Sequence, residues 1–140
     1  MPLVNAKGLV HFSLPANDVE ESLKFYTEVL GMRFRGNVGP HGRCVVAGDV
    51  NIILVGRPSP RPFEEAEQQN TELCHQAFQV SSEDYDKALE SFQEHGVRIA
   101  NEEYRKTGTF TGRSFYFFDP TGNRLEINDP NPPIWPADAR

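Results

Sequence analysis

At 140 residues, with 38% apolar and 24% charged side chains, the chain has the composition of a globular domain and the length to bury a core without disulfide or metal staples. No apolar run nears the roughly 18 residues of a membrane span, and Met1 to Lys7 lacks the basic head of a leader, so the cytoplasm is the expected location and a membrane is not an expected partner. Twenty acidic against fourteen basic residues give a net charge of −6, which repels a phosphate backbone and argues against nucleic acid as a partner.

Residues 8 to 14 (GLVHFSL) alternate in a strand pattern. Asn17 or Asp18 then caps a helix running to about Leu30, where Gly31 suits the exit and Val19, Leu23, Tyr26 and Leu30 form a core-facing stripe. Three strands are predicted near 32 to 36, 43 to 47 and 50 to 55, the last two joined by the Gly48-Asp49 turn. A Pro, Glu and Gln-rich stretch from Arg57 to Thr71 reads as a connector. The same order then begins again. Leu73 to Val80 reads as a strand, Ser81 with Asp84 as a capping box, Tyr85, Leu89 and Phe92 as a helical stripe, and Gly96 as its stop. Strands follow near 97 to 100, 113 to 118 and 123 to 128, with Asp119-Pro-Thr-Gly122 as a tight turn.

The halves keep a nearly constant offset, His11 lying 64 residues before His75 and Gly31 lying 65 before Gly96. Two βαβββ units of an α+β fold are therefore expected, forming a curved mixed sheet with helices outside. They make one domain over 1–140: module one at about 8–56, connector 57–72, module two at about 73–128 and tail 129–140. Cys44 and Cys74 lie outside any CxxC spacing and inside apolar segments, where buried reduced thiols are expected. Pro130 to Pro136 is expected to run extended over the surface, with Trp135 as its anchor or as a contact to a neighbouring subunit.

Alternation along each strand assigns faces. Val10, Phe12 and Leu14 form the core set of the first strand, so His11 and Ser13 point away from it; His75 opposes Cys74 and Phe78; Glu126 opposes Leu125 and Ile127. Two imidazoles and one carboxylate suit a first-row divalent ion, and three protein ligands leave coordination sites open for two neighbouring substrate oxygens. Tyr116 shares its face with Ser114, so its hydroxyl is placed to donate to a developing oxyanion. Arg113 and Arg124, and less strongly Arg43, are candidate anchors for an anionic substrate. His95 at a helix end and His41 in a loop are weaker candidates for the site.

The segments GLVHFSL and DVEESLKFYTEVLGM, CHQAFQV, and SFYFFDPTGNRLEI resemble the vicinal oxygen chelate superfamily, also called the glyoxalase, bleomycin-resistance and dioxygenase superfamily, over nearly the whole chain. The resemblance implies a metal-dependent enzyme acting on a small molecule, often as a homodimer. His11, His75 and Glu126 fall at the metal-ligand positions, for Fe²⁺ or Mn²⁺ first and Zn²⁺, Ni²⁺ or Co²⁺ otherwise. Glyoxalase I adds a fourth ligand from the first module, where this chain is read as having Leu54. Extradiol dioxygenases resemble the chain in Tyr116, Asp119 to Gly122 and Glu126, which gives dioxygenase-like chemistry a slight preference, although Thr107 to Thr109 stand where that group carries a histidine. Fosfomycin-resistance enzymes, which open an epoxide with a thiol or water, resemble it in Ser13 as a helper of oxygen activation and in Lys106, Ser114 and Tyr116 as substrate or companion-cation groups. Metal-free bleomycin-type binding proteins are the remaining member class.

Overall fold

In the computed structural model, which describes residues 1–63 and 74–140, two Asx and Ser side chains start the helices that the sequence marks. Asp18 Oδ1 accepts from the amides of Glu20 (3.0 Å) and Glu21 (3.1 Å) and opens α1, Val19–Lys24. Ser81 Oγ accepts from the Asp84 amide at 3.1 Å and opens α2, Ser82–Ser91. Gly31 (φ 67°) and Gly96 (φ 74°) leave the two helices in the left-handed region that side-chain-bearing residues avoid.

The first helix does not stay α-helical to Leu30 as its periodicity predicts; Phe25–Val29 form a π-helical turn. The Thr27 hydroxyl donates to the Leu23 carbonyl at 2.9 Å, and the Leu30 amide reaches back five residues to Phe25. A hydroxyl competing for a ladder acceptor is a recognised cause of such widening.

The chain divides into two compact units, 1–61 and 62–140. In the first, β1 (His11–Ala16), β2 (Arg33–Val38), β3 (Gly42–Ala47) and β4 (Val50–Gly56) form a sheet in the order β1-β4-β3-β2, with β1 and β4 parallel and the other pairs antiparallel. In the second, β5 (Gln76–Gln79), β6 (Ile99–Arg105), β7 (Gly112–Phe118) and β8 (Arg124–Asp129) repeat that order as β5-β8-β7-β6. Each unit is thus βαβββ. Residues 64–72 of the expected connector, and Leu73 of the expected strand, lie outside the described residues.

Each helix covers one face of its own sheet. Leu14, Ala16, Tyr26, Val45, Ile52 and Leu54 make the first core. Tyr85 and Phe92 of the second helix region meet Phe115 and Phe117 edge to face, with centroids 5.0 to 5.7 Å apart, in the second. Each such fully buried aromatic contributes about 1.5–3 kcal/mol through area removed from water.

Three sequence expectations are corrected. Leu54 is a core residue and not the counterpart of Glu126: Ser13 pairs with Ile53 and Ala77 with Glu126, so the repeat offset makes Ile53 the matching position. Cys74 is exposed, whereas Cys44 is buried as expected. β6 continues to Arg105, because an edge strand with a bulge between Ile99 and Asn101 tolerates a polar run that breaks the apolar alternation. The tail packs on that edge: Trp135 meets Tyr104 (6.4 Å between centroids), and the Arg140 carbonyl accepts from the Lys106 and Thr107 amides. No helix among the described residues is long and apolar enough to cross a membrane.

Candidate metal and substrate site

The face of the second sheet turned away from α2 collects most of the predicted site. Register sets this arrangement: Tyr116 lies opposite Glu126, Ser114 opposite Asn128, and Ala77 opposite Glu126 on the other side. His75, one residue before β5, follows the same alternation, and its Nε2 stands 3.1 Å from Glu126 Oε2. Both donors of a divalent ion have bonds of about 2.1 Å, so two donors at this spacing subtend roughly 95° at a shared ion, an ordinary angle between neighbouring ligands. The pair fits a metal. Among the described residues of the second unit no third histidine, cysteine or carboxylate joins them in a cluster.

Glu126 is only 5% exposed, which would disfavour its charge without partners. Its second oxygen, Oε1, accepts from Arg105 Nη2 at 3.2 Å, and Arg105 also faces Glu103 at 3.8 Å. Arg105 was not a sequence-predicted site residue; it reaches Glu126 from β6 across β7, where Gly112 and Ser114 present little bulk. Its signal was the alternation of Asn101, Glu103 and Arg105, readable only once β6 is known to extend that far.

Tyr116 sits in this cluster with its ring edge-on to His75 (5.6 Å) and under the Arg124 guanidinium (4.3 Å). Burial, together with the negative charges of Glu126 and Glu103, pushes the Tyr116 hydroxyl above its usual pKa, so it is held as a donor. Ser114 is buried, and its Oγ accepts from Asn128 Nδ2 at 3.0 Å. Lys106, just past β6, rests its ammonium over the Trp135 ring at 5.9 Å.

Arg113 is a correction. It occupies the opposite face of β7, toward α2, where it donates to Asp129 Oδ2 (2.9 Å) and to the Ser82 carbonyl (3.2 Å), pairs with Asp86 (2.9 Å) and covers the Tyr85 ring at 4.1 Å. Its donors are committed to fold structure. Burial works against the Asp129 charge, but hydrogen bonds from Ser82, the Asn131 amide and Arg113 outweigh it and hold this carboxyl below its usual range. Arg43 is likewise engaged, donating to Glu20 at 2.8 Å.

In the first unit His11 and Ser13 are exposed on β1 and face away from Leu14 and Ala16. His11 lines an open concavity with Val10, Arg35, Cys44, Asn51 and Ile53. Asn51 organises it, accepting from Arg35 Nη1 at 2.7 Å and donating to the Val10 carbonyl at 3.2 Å. His41 is exposed, and His95 places Nδ1 2.8 Å from the Ser91 carbonyl, so neither has a part in these clusters.

The chain belongs to the Glyoxalase/Bleomycin resistance protein/Dioxygenase superfamily, matching the family model over residues 8–127, which span both βαβββ units. It is similar to the glutathione transferase FosA of Serratia marcescens, at 30% identity over 128 residues that cover 87% of this chain and 80% of that protein. It also resembles YaeR of Escherichia coli, an uncharacterised protein, at 29% identity covering 89% of this chain and 98% of that one. Among solved structures, the fosfomycin resistance protein FosX of Listeria monocytogenes complexed with Mn(II) and sulfate shares the fold, with a TM-score of 0.71 at 21% identity over 91% of this chain and 93% of that one.

Proposed function

We propose that this chain is a divalent-metal-dependent enzyme whose site is built on His75 and Glu126 and completed by His11, with Mn²⁺ or Fe²⁺ as the preferred ion. The observation that carries the reading is the buried Glu126 carboxylate with one oxygen 3.1 Å from an imidazole nitrogen and the other held by Arg105. His11 and Ser13 belong to the first unit, and in this reading they are supplied by the same chain or by a second copy in a homodimer. A bound divalent ion would supply Lewis-acid stabilisation to substrate oxygen.

The reaction we favour is opening of a small oxygen-rich epoxide by a thiol or water, supported by the likeness to a glutathione transferase and by the lack of a histidine at residues 107–109. This reverses the order of the two chemistries that the C-terminal motif favours on sequence alone. In the thiol reaction the sulfur attacks an epoxide carbon, the C–S bond forms as the C–O bond breaks, and the thiol proton ends on the former ring oxygen. Tyr116, held protonated, donates a hydrogen bond to that oxygen as charge develops, and Ser13 is the proposed second donor. Lys106 and Ser114 are the proposed flanking substrate contacts.

Dioxygenase-like chemistry is the second reading, favoured by Tyr116, the Asp119-Pro-Thr-Gly122 turn and Glu126 in one stretch. Purified protein supplied with Mn²⁺ is expected to consume fosfomycin in the presence of glutathione, followed by phosphorus NMR. With Fe²⁺ and catechols, oxygen uptake in place of epoxide loss would select the second reading. A protein that turns over neither and binds no metal would be left as a sequestering protein, and the enzyme reading would fall.

A further inference from the structure

The buried Glu126 carboxylate uses its two oxygens differently: Oε2 lies 3.1 Å from His75 Nε2, while Oε1 accepts from Arg105 Nη2 at 3.2 Å. The guanidinium spans two acids, since its Nη1 also stands 3.8 Å from Glu103 Oε2. The Arg105 backbone is held on both sides as well. Arg105 is the last residue of β6, the outer strand of its sheet, and pairs inward with Gly112 of β7. The end of a strand with a single neighbour frays readily. Here the tail supplies a second neighbour. The Arg140 amide donates to the Tyr104 carbonyl at 3.3 Å and the Lys106 amide donates to the Arg140 carbonyl, so the two bonds flank Arg105. Trp135 fastens the same segment, with its ring tilted 67° against that of Tyr104 and the Lys106 ammonium 5.9 Å from its centre.

We infer that Arg105 is a positioning residue which, clamped through β6 by the tail, restricts Glu126 to ligating a divalent ion through Oε2 alone. A carboxylate can bind such an ion through one oxygen or through both. An ion reaching both oxygens here would have to displace the charge-assisted hydrogen bond on Oε1 and approach the guanidinium, which carries the same sign of charge. Arg105 therefore keeps Glu126 to one coordination position and leaves to the substrate the position that the second oxygen would fill. Partners of this kind, which hold a ligand without being one, set ligand orientation in metal sites generally. Trp135 and Arg140 act on the centre at one further remove, by fixing the strand that carries Arg105. The inference deepens the proposed function and rests on its metal reading.

The test is infrared difference spectroscopy, Mn²⁺-loaded minus metal-free, on full-length protein carrying carboxyl-labelled glutamate, with Glu126→Gln as the blank that identifies the Glu126 bands. Ligation through one oxygen separates the antisymmetric and symmetric carboxylate stretches widely, and ligation through both draws them together. The parent is expected to show the wide separation and Arg105→Met the narrow one. Arg105→Lys should restore part of the width, since it keeps the charge without the fork. Circular dichroism and urea midpoints establish folding, and Arg105→Gln is read in place of Arg105→Met if that protein does not fold. Trp135→Ala is expected to remove hydrogen-exchange protection from the Lys106 and Thr107 amides and to narrow the separation, yet to change the separation no further in the Arg105→Met background, because the two act through one contact. A narrow separation in the parent, or the same separation in the parent and the folded Arg105 variants, overturns the inference. Unchanged amide protection in Trp135→Ala, or lost protection with the wide separation kept, overturns the clamp. Absence of Mn²⁺ binding by the parent refutes the metal reading itself, and the inference falls with it.

Discussion

Replacing Arg113 by Met tests whether this arginine serves the fold or the substrate. The guanidinium is 8% exposed and holds Asp129, whose side chain is 2% exposed, at 2.9 Å, with Asp86 and the Ser82 carbonyl as further partners. Removing one member of a buried pair costs about 3–5 kcal/mol, because the other charge stays behind without compensation. Here Asp129 keeps hydrogen bonds from Ser82 Oγ (2.7 Å) and the Asn131 amide (3.0 Å), which softens the loss, so we expect about 2–4 kcal/mol. Urea unfolding followed by circular dichroism measures it, with Mn²⁺ affinity of the folded variant expected to match the parent. The sign of the pH dependence follows from Asp129: its folded pKa lies below the unfolded value, so its stabilisation is full above the unfolded pKa near 4 and is lost as pH falls through the lower, folded one. Asp129→Asn should therefore flatten the acid limb of stability against pH. An Arg113→Met protein as stable as the parent but unable to bind an anionic ligand would refute this reasoning and return Arg113 to the substrate site.

Tyr116→Phe should leave the fold and Mn²⁺ binding intact while lowering the rate of epoxide opening about 100-fold, the scale for loss of one oxyanion donor. Because burial lifts the hydroxyl pKa above that of a free tyrosine, the ultraviolet difference between the metal-free parent and Tyr116→Phe should show tyrosinate only above the ordinary tyrosine range, and tyrosinate from Tyr116 at lower pH would contradict the assignment. Gly112→Ala should cost upwards of about 2 kcal/mol, since φ is 116° and a Cβ there would lie 2.2 Å from the Asp129 carbonyl oxygen; an unchanged urea midpoint would show that the turn into β7 yields. Asp119→Ala removes the acceptor of the Thr121 and Asn123 amides, both at 2.9 Å, and should lower stability by about 2–3 kcal/mol in the same assay.

Local signals carried the elements well. The caps at Asp18 and Ser81, the exits at Gly31 and Gly96 and the Asp119 to Gly122 turn depend on chemistry within four residues, which a sequence displays directly. Strand alternation likewise placed His75, Tyr116 and Glu126 on one face, because a period of two is the same for every strand. Pairings over distance were not legible. Arg113 finds Asp86 and Asp129 across 27 and 16 residues, and nothing near it in the chain distinguishes a buried, paired arginine from one that awaits a substrate. Arg105 is not legible as a site residue because its edge strand lacks apolar alternation. The sequence pattern points to Leu54 where the structure has Ile53, because a single-residue slip in register exchanges the two faces of a strand, and only the hydrogen-bonded partners fix that register.

Titration of Mn²⁺ into chelator-treated protein, followed by the electron paramagnetic resonance of the free ion, tests the metal centre most directly. The parent is expected to bind, and His11→Ala, His75→Ala and Glu126→Gln are each expected to lose more than the roughly 10- to 100-fold that changes outside the ligand set cost. Binding by the Glu126→Gln and His75→Ala proteins equal to that of the parent, or no binding by the parent, would contradict the assignment.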